Sequence, residues 1–122
     1  MLRIALVLGM LVAPVAAAPD AKQLAKDRVT AAEKVFTGTL AFLQSGRASA
    51  EGAYTWSVRW LDAELANGKA AKQAYAAHLT RMTSLDAELA KAVQAGTASP
   101  VDAAAASYFR IEAEIWASRG KR

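Results

Sequence analysis

From residue 21 to the C-terminus, apolar side chains recur at intervals of three and four rather than at alternate positions. Val29, Ala32, Val35, Phe36, Leu40 and Leu43 form one such series. Tyr54, Val58, Leu61 and Leu65 form a second. Tyr75, Leu79, Met82, Leu85, Leu89 and Val93 form a third, and Ala104, Tyr108, Ile111 and Ile115 a fourth. A period of about 3.6 residues carries each series along one face of an α-helix. Ala, Leu, Lys, Glu and Gln, all strong helix formers, dominate the chain, and β-branched residues are sparse. Punctuation falls at Ser45-Gly46-Arg47-Ala48-Ser49, at Asn67-Gly68 and at Ala95-Gly96-Thr97-Ala98-Ser99-Pro100. Gly closes the preceding helix because it reaches positive φ at low cost. Ser99 reads as an N-cap, with Pro100 at N1 and Asp102 at N3. Ser49 takes the same role, but Gly52 at its N3 position cannot complete a capping box. The pattern predicts four helices, at about 20–45, 50–67, 69–95 and 100–119. Leu61, Leu65, Leu79, Met82, Leu85, Leu89, Tyr108, Ile111 and Ile115 are the expected core.

The first residues follow a different pattern. Met1-Leu2-Arg3 is a short positive start, Ile4 to Val15 is apolar without a charge, and Ala16-Ala17-Ala18 supplies small residues before Pro19-Asp20. This three-part order predicts a secretory signal peptide over residues 1–17, cut after Ala17, with residues 18–122 forming one domain. The apolar run is too short for a membrane-spanning helix, which needs about 20 residues. The expected location is the periplasm or the outside of the cell, with no transmembrane span after cleavage. Without a Cys beyond the run, lipid has no attachment point.

The two halves overlay at an offset of 50 residues. Leu43 to Ala66 against Val93 to Trp116 pairs Gln44 with Gln94, Gly46 with Gly96, Ser49 with Ser99, Ser57 with Ser107 and Glu64 with Glu114. Turn aligns with turn and apolar face with apolar face, which predicts an internal helical-hairpin repeat. The expected fold is all-α: two antiparallel helical hairpins forming a four-helix bundle or array, with coiled-coil-like shallow crossings. That arrangement sets the turns at 46–49 and 96–99 side by side at one end.

Composition narrows the function. The chain has 122 residues, 54% of them hydrophobic, with 15 Lys/Arg, 11 Asp/Glu, one His and no Cys. Disulfides, thiol catalysis and Cys-ligated metal are excluded, and a single His cannot build a multi-His metal site. The formal charge is +4, but the basic residues are scattered apart from Arg119-Gly120-Lys121-Arg122, so no stripe exists for a nucleic acid. His78 has Arg81 at i+3 and reads as a helix-surface His with no Ser placed to be activated by it. Asp62, Glu64, Glu112 and Glu114 read as solvated carboxylates, with Arg59 beside Asp62 and Arg110 beside Glu114. Trp56 and Trp60, at i and i+4, widen the apolar surface of the second helix. They serve either a core that meets two neighbouring helices or an aromatic patch for a partner. No cofactor is expected, and no enzyme; a small carboxylate or His78 enzyme is the opposing class.

Two resemblances add to this reading. Gly46-Arg47-Ala48-Ser49 and Gly96-Thr97-Ala98-Ser99-Pro100-Val101-Asp102 resemble the helical hairpin tips of TolC-like outer-membrane efflux proteins. That resemblance implies docking of the tips on an adaptor protein. The first copy departs from the pattern at Gly52, where Asp is expected, and the family's barrel strands are missing, so a pore role does not carry over. Tyr54 to Glu64, His78 to Met82 and Ala105 to Trp116 resemble an uncharacterised helical family of planctomycete-type bacteria. Its members pair a Trp-Ser-x-Arg-Trp helix with a Tyr-Phe-Arg-Ile-Glu-Ala-Glu-Ile-Trp helix. This second resemblance covers most of residues 18–122 and implies a fold without an activity. The sequence therefore predicts an exported, non-enzymatic interaction or structural module of the cell envelope. Its expected partner is a protein, either an envelope helix or a second copy, and its candidate contacts are Arg47, Ser49, Thr97, Ser99, Trp56 and Trp60.

Overall fold

A computed structural model of the chain describes residues 20–122, together with Gly9 and Ala18. The expected signal peptide, residues 1–17, lies outside the described residues except for Gly9. The described part is all-α, with no strand. Its helices are α1 (Ala21–Phe42), α2 (Ala50–Ala66), α3 (Ala71–Gln94) and α4 (Pro100–Arg119), and a single 3-10 turn, Leu43–Ser45, extends α1. Among the described residues no helix is long and apolar enough to cross a membrane.

The helix boundaries follow local chemistry. Ser49 Oγ accepts the Gly52 N–H at 3.0 Å and starts α2. Ser99 Oγ accepts the Asp102 N–H at 3.2 Å, and the Asp102 carboxylate accepts the Ser99 N–H in return, a complete capping box. Gly46 and Gly96 sit at φ of +71° and +75°, where a Cβ would be strained. These two turns lie together: a Cβ added to Gly46 would stand 3.4 Å from the Thr97 carbonyl oxygen. Gln44 ties the same end, its Nε2 donating to the Glu88 backbone oxygen at 2.9 Å and to Glu88 Oε2 at 2.7 Å. The Gln44 bond, followed by that from Lys91, holds the Glu88 carboxyl below its ordinary pKa.

Packing centres on α2, which meets α1, α3 and α4; α3 and α4 also run along each other, and α3 meets the 3-10 turn. The larger core joins Phe36 and Leu43 to Ala50 and Ala53, to Met82, Leu85 and Leu89, and to Ala106, Phe109 and Ala113. A smaller one joins Leu61, Ala74 and Tyr75, with Leu65 and Trp116 against it.

Four expected core positions, Leu61, Met82, Leu85 and Leu89, are buried, and Leu65 and Leu79 are half-buried. Three are not: Tyr108 is 64% exposed, Ile111 49% and Ile115 43%. The packed face of α4 is Ala106, Phe109 and Ala113 instead. Alanines on that face let α4 lie close to its neighbours, and Phe109 fills the middle, stacked on Tyr54 at 4.1 Å. Gly46 and Gly96 share a left-handed turn and Ser49 and Ser99 an N-cap, but the faces of the two halves do not correspond. Leu61 is buried, while its offset mate Ile111 looks outward.

Candidate functional site

Two features stand out: a buried polar cluster between α2 and α3, and the outer face of α4. The cluster corrects the placement of His78, which is not on the surface. His78 and Ser57 are both 0% exposed, and Arg81 and Glu64 are buried beside them. Ser57 comes from the series Ala50-Ala53-Ser57-Leu61-Glu64 on α2, and His78 and Arg81 from Ala74-His78-Arg81-Leu85 on α3. Both series keep helical spacing, and small residues around the polar ones bring the two backbones close.

Ser57 Oγ lies 2.7 Å from His78 Nδ1. Arg81 Nε donates to the same oxygen at 2.7 Å, and Arg81 Nη2 donates to the Ser57 backbone oxygen at 3.0 Å. Arg81 can only donate, so Ser57 Oγ accepts from it and keeps its own proton for His78. His78 then accepts at Nδ1 and carries its hydrogen on Nε2, a tautomer assigned from the network. Nε2 has no hydrogen-bond partner among the described residues. Burial, followed by the Arg81 and Arg122 guanidiniums, pushes the His78 pKa from 6.5 down to about 3. Burial also lowers Arg81 to about 10, with Glu64 opposing.

Aromatic rings frame these groups. Trp116 stacks on His78 with centroids 5.4 Å apart, and Arg122 lies 5.4 Å from the Trp116 ring. Arg81 lies 4.2 Å from the Trp60 ring, which packs against Phe36 at 5.8 Å. Trp56 and Trp60 are both half-buried against the larger core, and Arg59 sits 4.5 Å over Trp56. That placement corrects the expected Arg59 pairing, since Asp62 pairs with Arg122 instead. The expected Arg110–Glu114 pair is present at 2.9 Å, and Arg110 Nε also meets Asp86 at 2.7 Å. Glu64 pairs with Lys69 at 3.2 Å. Glu112 accepts from the Tyr54 hydroxyl at 2.6 Å; burial, then this bond, raises the Tyr54 pKa.

A Ser hydroxyl hydrogen-bonded to a neutral imidazole is the geometry of general-base activation. Attack by Ser57 needs a substrate carbon about 3 Å from Oγ. Packed side chains occupy that space, and no cavity reaches it among the described residues. Among the described residues the buried side-chain polar atoms left without a hydrogen bond are His78 Nε2, Trp60 Nε1 and Glu64 Oε2, and the last of these is met by the Lys69 ammonium at 3.2 Å. Among the described residues no group of three or more His, Asp or Glu could hold a metal ion.

The tip residues are placed as follows. Arg47, Ser49, Thr97 and Ser99 are all exposed. Ser49 and Ser99 use their hydroxyls as caps, and Thr97 Oγ1 donates to the Ala92 backbone oxygen at 3.2 Å. Sequence periodicity marks the outer stripe of α4 but assigns it to the core, whereas the structure exposes it. Val101 (76% exposed), Tyr108, Ile111 and Ile115, with Ala104 between, line a continuous apolar stripe away from the packed face.

The fold and site define an all-α protein with a buried polar cluster and, among the described residues, exposed apolar side chains both on α1 (Leu24, Val35 and Phe42) and along α4. No protein-family model, curated protein or solved structure matches the chain. The two resemblances rest on the residues that carry them.

Proposed function

We propose that the chain is an exported, non-enzymatic interaction module of the cell envelope that presents the outer face of α4 to another helix. The N-terminal Arg-apolar-Ala pattern supports export. The observation that carries the interaction is the exposed series Val101, Tyr108, Ile111 and Ile115. Its 3-4 spacing from Tyr108 onward is that of a helix seam, and it lies across α4 from Ala106, Phe109 and Ala113. A helix apolar on two opposite faces has the composition of an interior helix, and contiguous exposed apolar surface marks interaction sites.

A photo-crosslinking residue placed at Ile111, with one at exposed Ser84 on α3 as control, tests this in cells. A protein adduct specific to position 111 is expected, on a chain whose recovered N-terminus is Ala18. Equal labelling at both positions, or none, overturns the reading.

The adjacency of Gly46 and Thr97 favours a second reading, in which the paired tips dock on an envelope partner related to TolC-like systems. Arg47→Glu with Thr97→Glu is expected to change stability by less than about 0.5 kcal/mol, as exposed substitutions do. On this reading the double variant loses partner capture from envelope extracts; unchanged capture leaves the tips as caps.

A further inference from the structure

Resting on the α4 reading, we propose that the occupant of this face is a second copy of the chain, paired antiparallel through α4. The stripe supplies seam positions at Val101, Ala104, Tyr108, Ile111, Ile115 and Ser118. A two-fold axis crossing α4 between Phe109 and Arg110 sets Tyr108 of one copy against Ile111 of the other. It also sets Ala104 against Ile115 and Val101 against Ser118, so each small residue faces a large one.

Charge favours the same arrangement. The first turn of α4 carries Asp102 and the last turn Arg119, with Lys121 just beyond. Antiparallel pairing brings the acidic first turn of each copy to the basic end of the other, with helix dipoles opposed. Parallel pairing would bring both basic ends together. Glu112 and Glu114 border the stripe, and in the antiparallel register they face Ala105 and Ser107 rather than each other. One helix pair buries less than the roughly 1,200 Å² of a standard interface, so a weak, concentration-dependent dimer is expected.

The full chain has no Cys, which makes introduced ones unique reporters. In the antiparallel register, positions 108 of the two copies are offset by about 4.5 Å along the axis, and positions 101 by about 25 Å. Under mild oxidation, Tyr108→Cys is expected to give dimer at least tenfold faster than the control Ser84→Cys. Val101→Cys alone should match the control, and Val101→Cys with Ser118→Cys should form dimer rapidly. Association through residues 1–17 would not discriminate between these positions. Adding Ile111→Asp to Tyr108→Cys should bring dimer formation to the control rate without changing helicity or the thermal midpoint. Fast crosslinking of Val101→Cys alone would mean a parallel pair and overturn the proposal. So would control-level rates throughout, or loss of structure in the Ile111→Asp variant. If position 111 photo-crosslinks only to a different protein, the second copy is refuted while the interaction module stands.

Discussion

Leu85→Ala is expected to destabilise the fold by about 2–5 kcal/mol, whereas Ile111→Ala should change it by less than about 0.5 kcal/mol. Both residues sit on apolar series of helical spacing, and both are large aliphatics. Leu85 is fully buried in the cluster that joins all four helices through Phe36, Ala53 and Phe109. Truncation there removes transfer free energy and leaves a cavity that close-packed neighbours fill only in part. A domain of this size is stable by about 5–15 kcal/mol, so the loss takes a large share of the total. Ile111 is half exposed and loses little on truncation in the monomer. Denaturant unfolding of dilute protein reads the contrast. Equal losses at the two positions would mean that α4 turns its Tyr108-Ile111-Ile115 face inward.

Stability is expected to rise with pH from about 3 to about 6.5, with His78 the main source above pH 4.5. The folded chain holds His78 neutral to a pKa near 3, against 6.5 for the free side chain. Between those values the unfolded chain binds a proton that the folded chain does not. The His78 contribution is therefore present above pH 6.5 and is lost as pH falls, at up to about 1.4 kcal/mol per unit. Below 4.5 the lowered Glu88 adds a loss of the same sign. His78→Asn keeps an acceptor near the Nδ1 position for the Ser57 hydroxyl but does not titrate. Urea midpoints of this variant should be flatter between pH 4.5 and 6.5 than those of the parent chain. Parallel curves for the two proteins would show that His78 is open to water in the folded state.

The helix ends were legible because they are local. Gly at a left-handed turn, Ser at an N-cap and Pro at N1 act within a few residues, so the boundaries near 50, 66, 94, 100 and 119 follow from sequence. The α3 face was legible for the same reason, since Met82, Leu85 and Leu89 form its strongest large-aliphatic series. The face of α4 was not. Periodicity shows that Tyr108, Ile111 and Ile115 share a stripe and that Ala106, Phe109 and Ala113 share another, but not which one meets α3. Size favoured the first, and close helix approach selected the second.

The buried cluster shows the same division. Although the sequence favoured Tyr54-Val58-Leu61-Leu65 and Tyr75-Leu79-Met82 as the packed stripes, helical spacing also sets Ala50, Ala53, Ser57 and Leu61 on one face and Ala74, His78, Arg81 and Leu85 on another. The sequence also predicted the four helices found among the described residues and excluded thiol chemistry. Only the tertiary structure decided that those two faces meet. Ser57 and His78 are 21 residues apart, and their hydrogen bond depends on how α2 and α3 rotate about their own axes. That rotation follows from the packing of Trp60 on α2 with Phe36 from α1 and Phe109 and Trp116 from α4, which no local pattern around His78 contains.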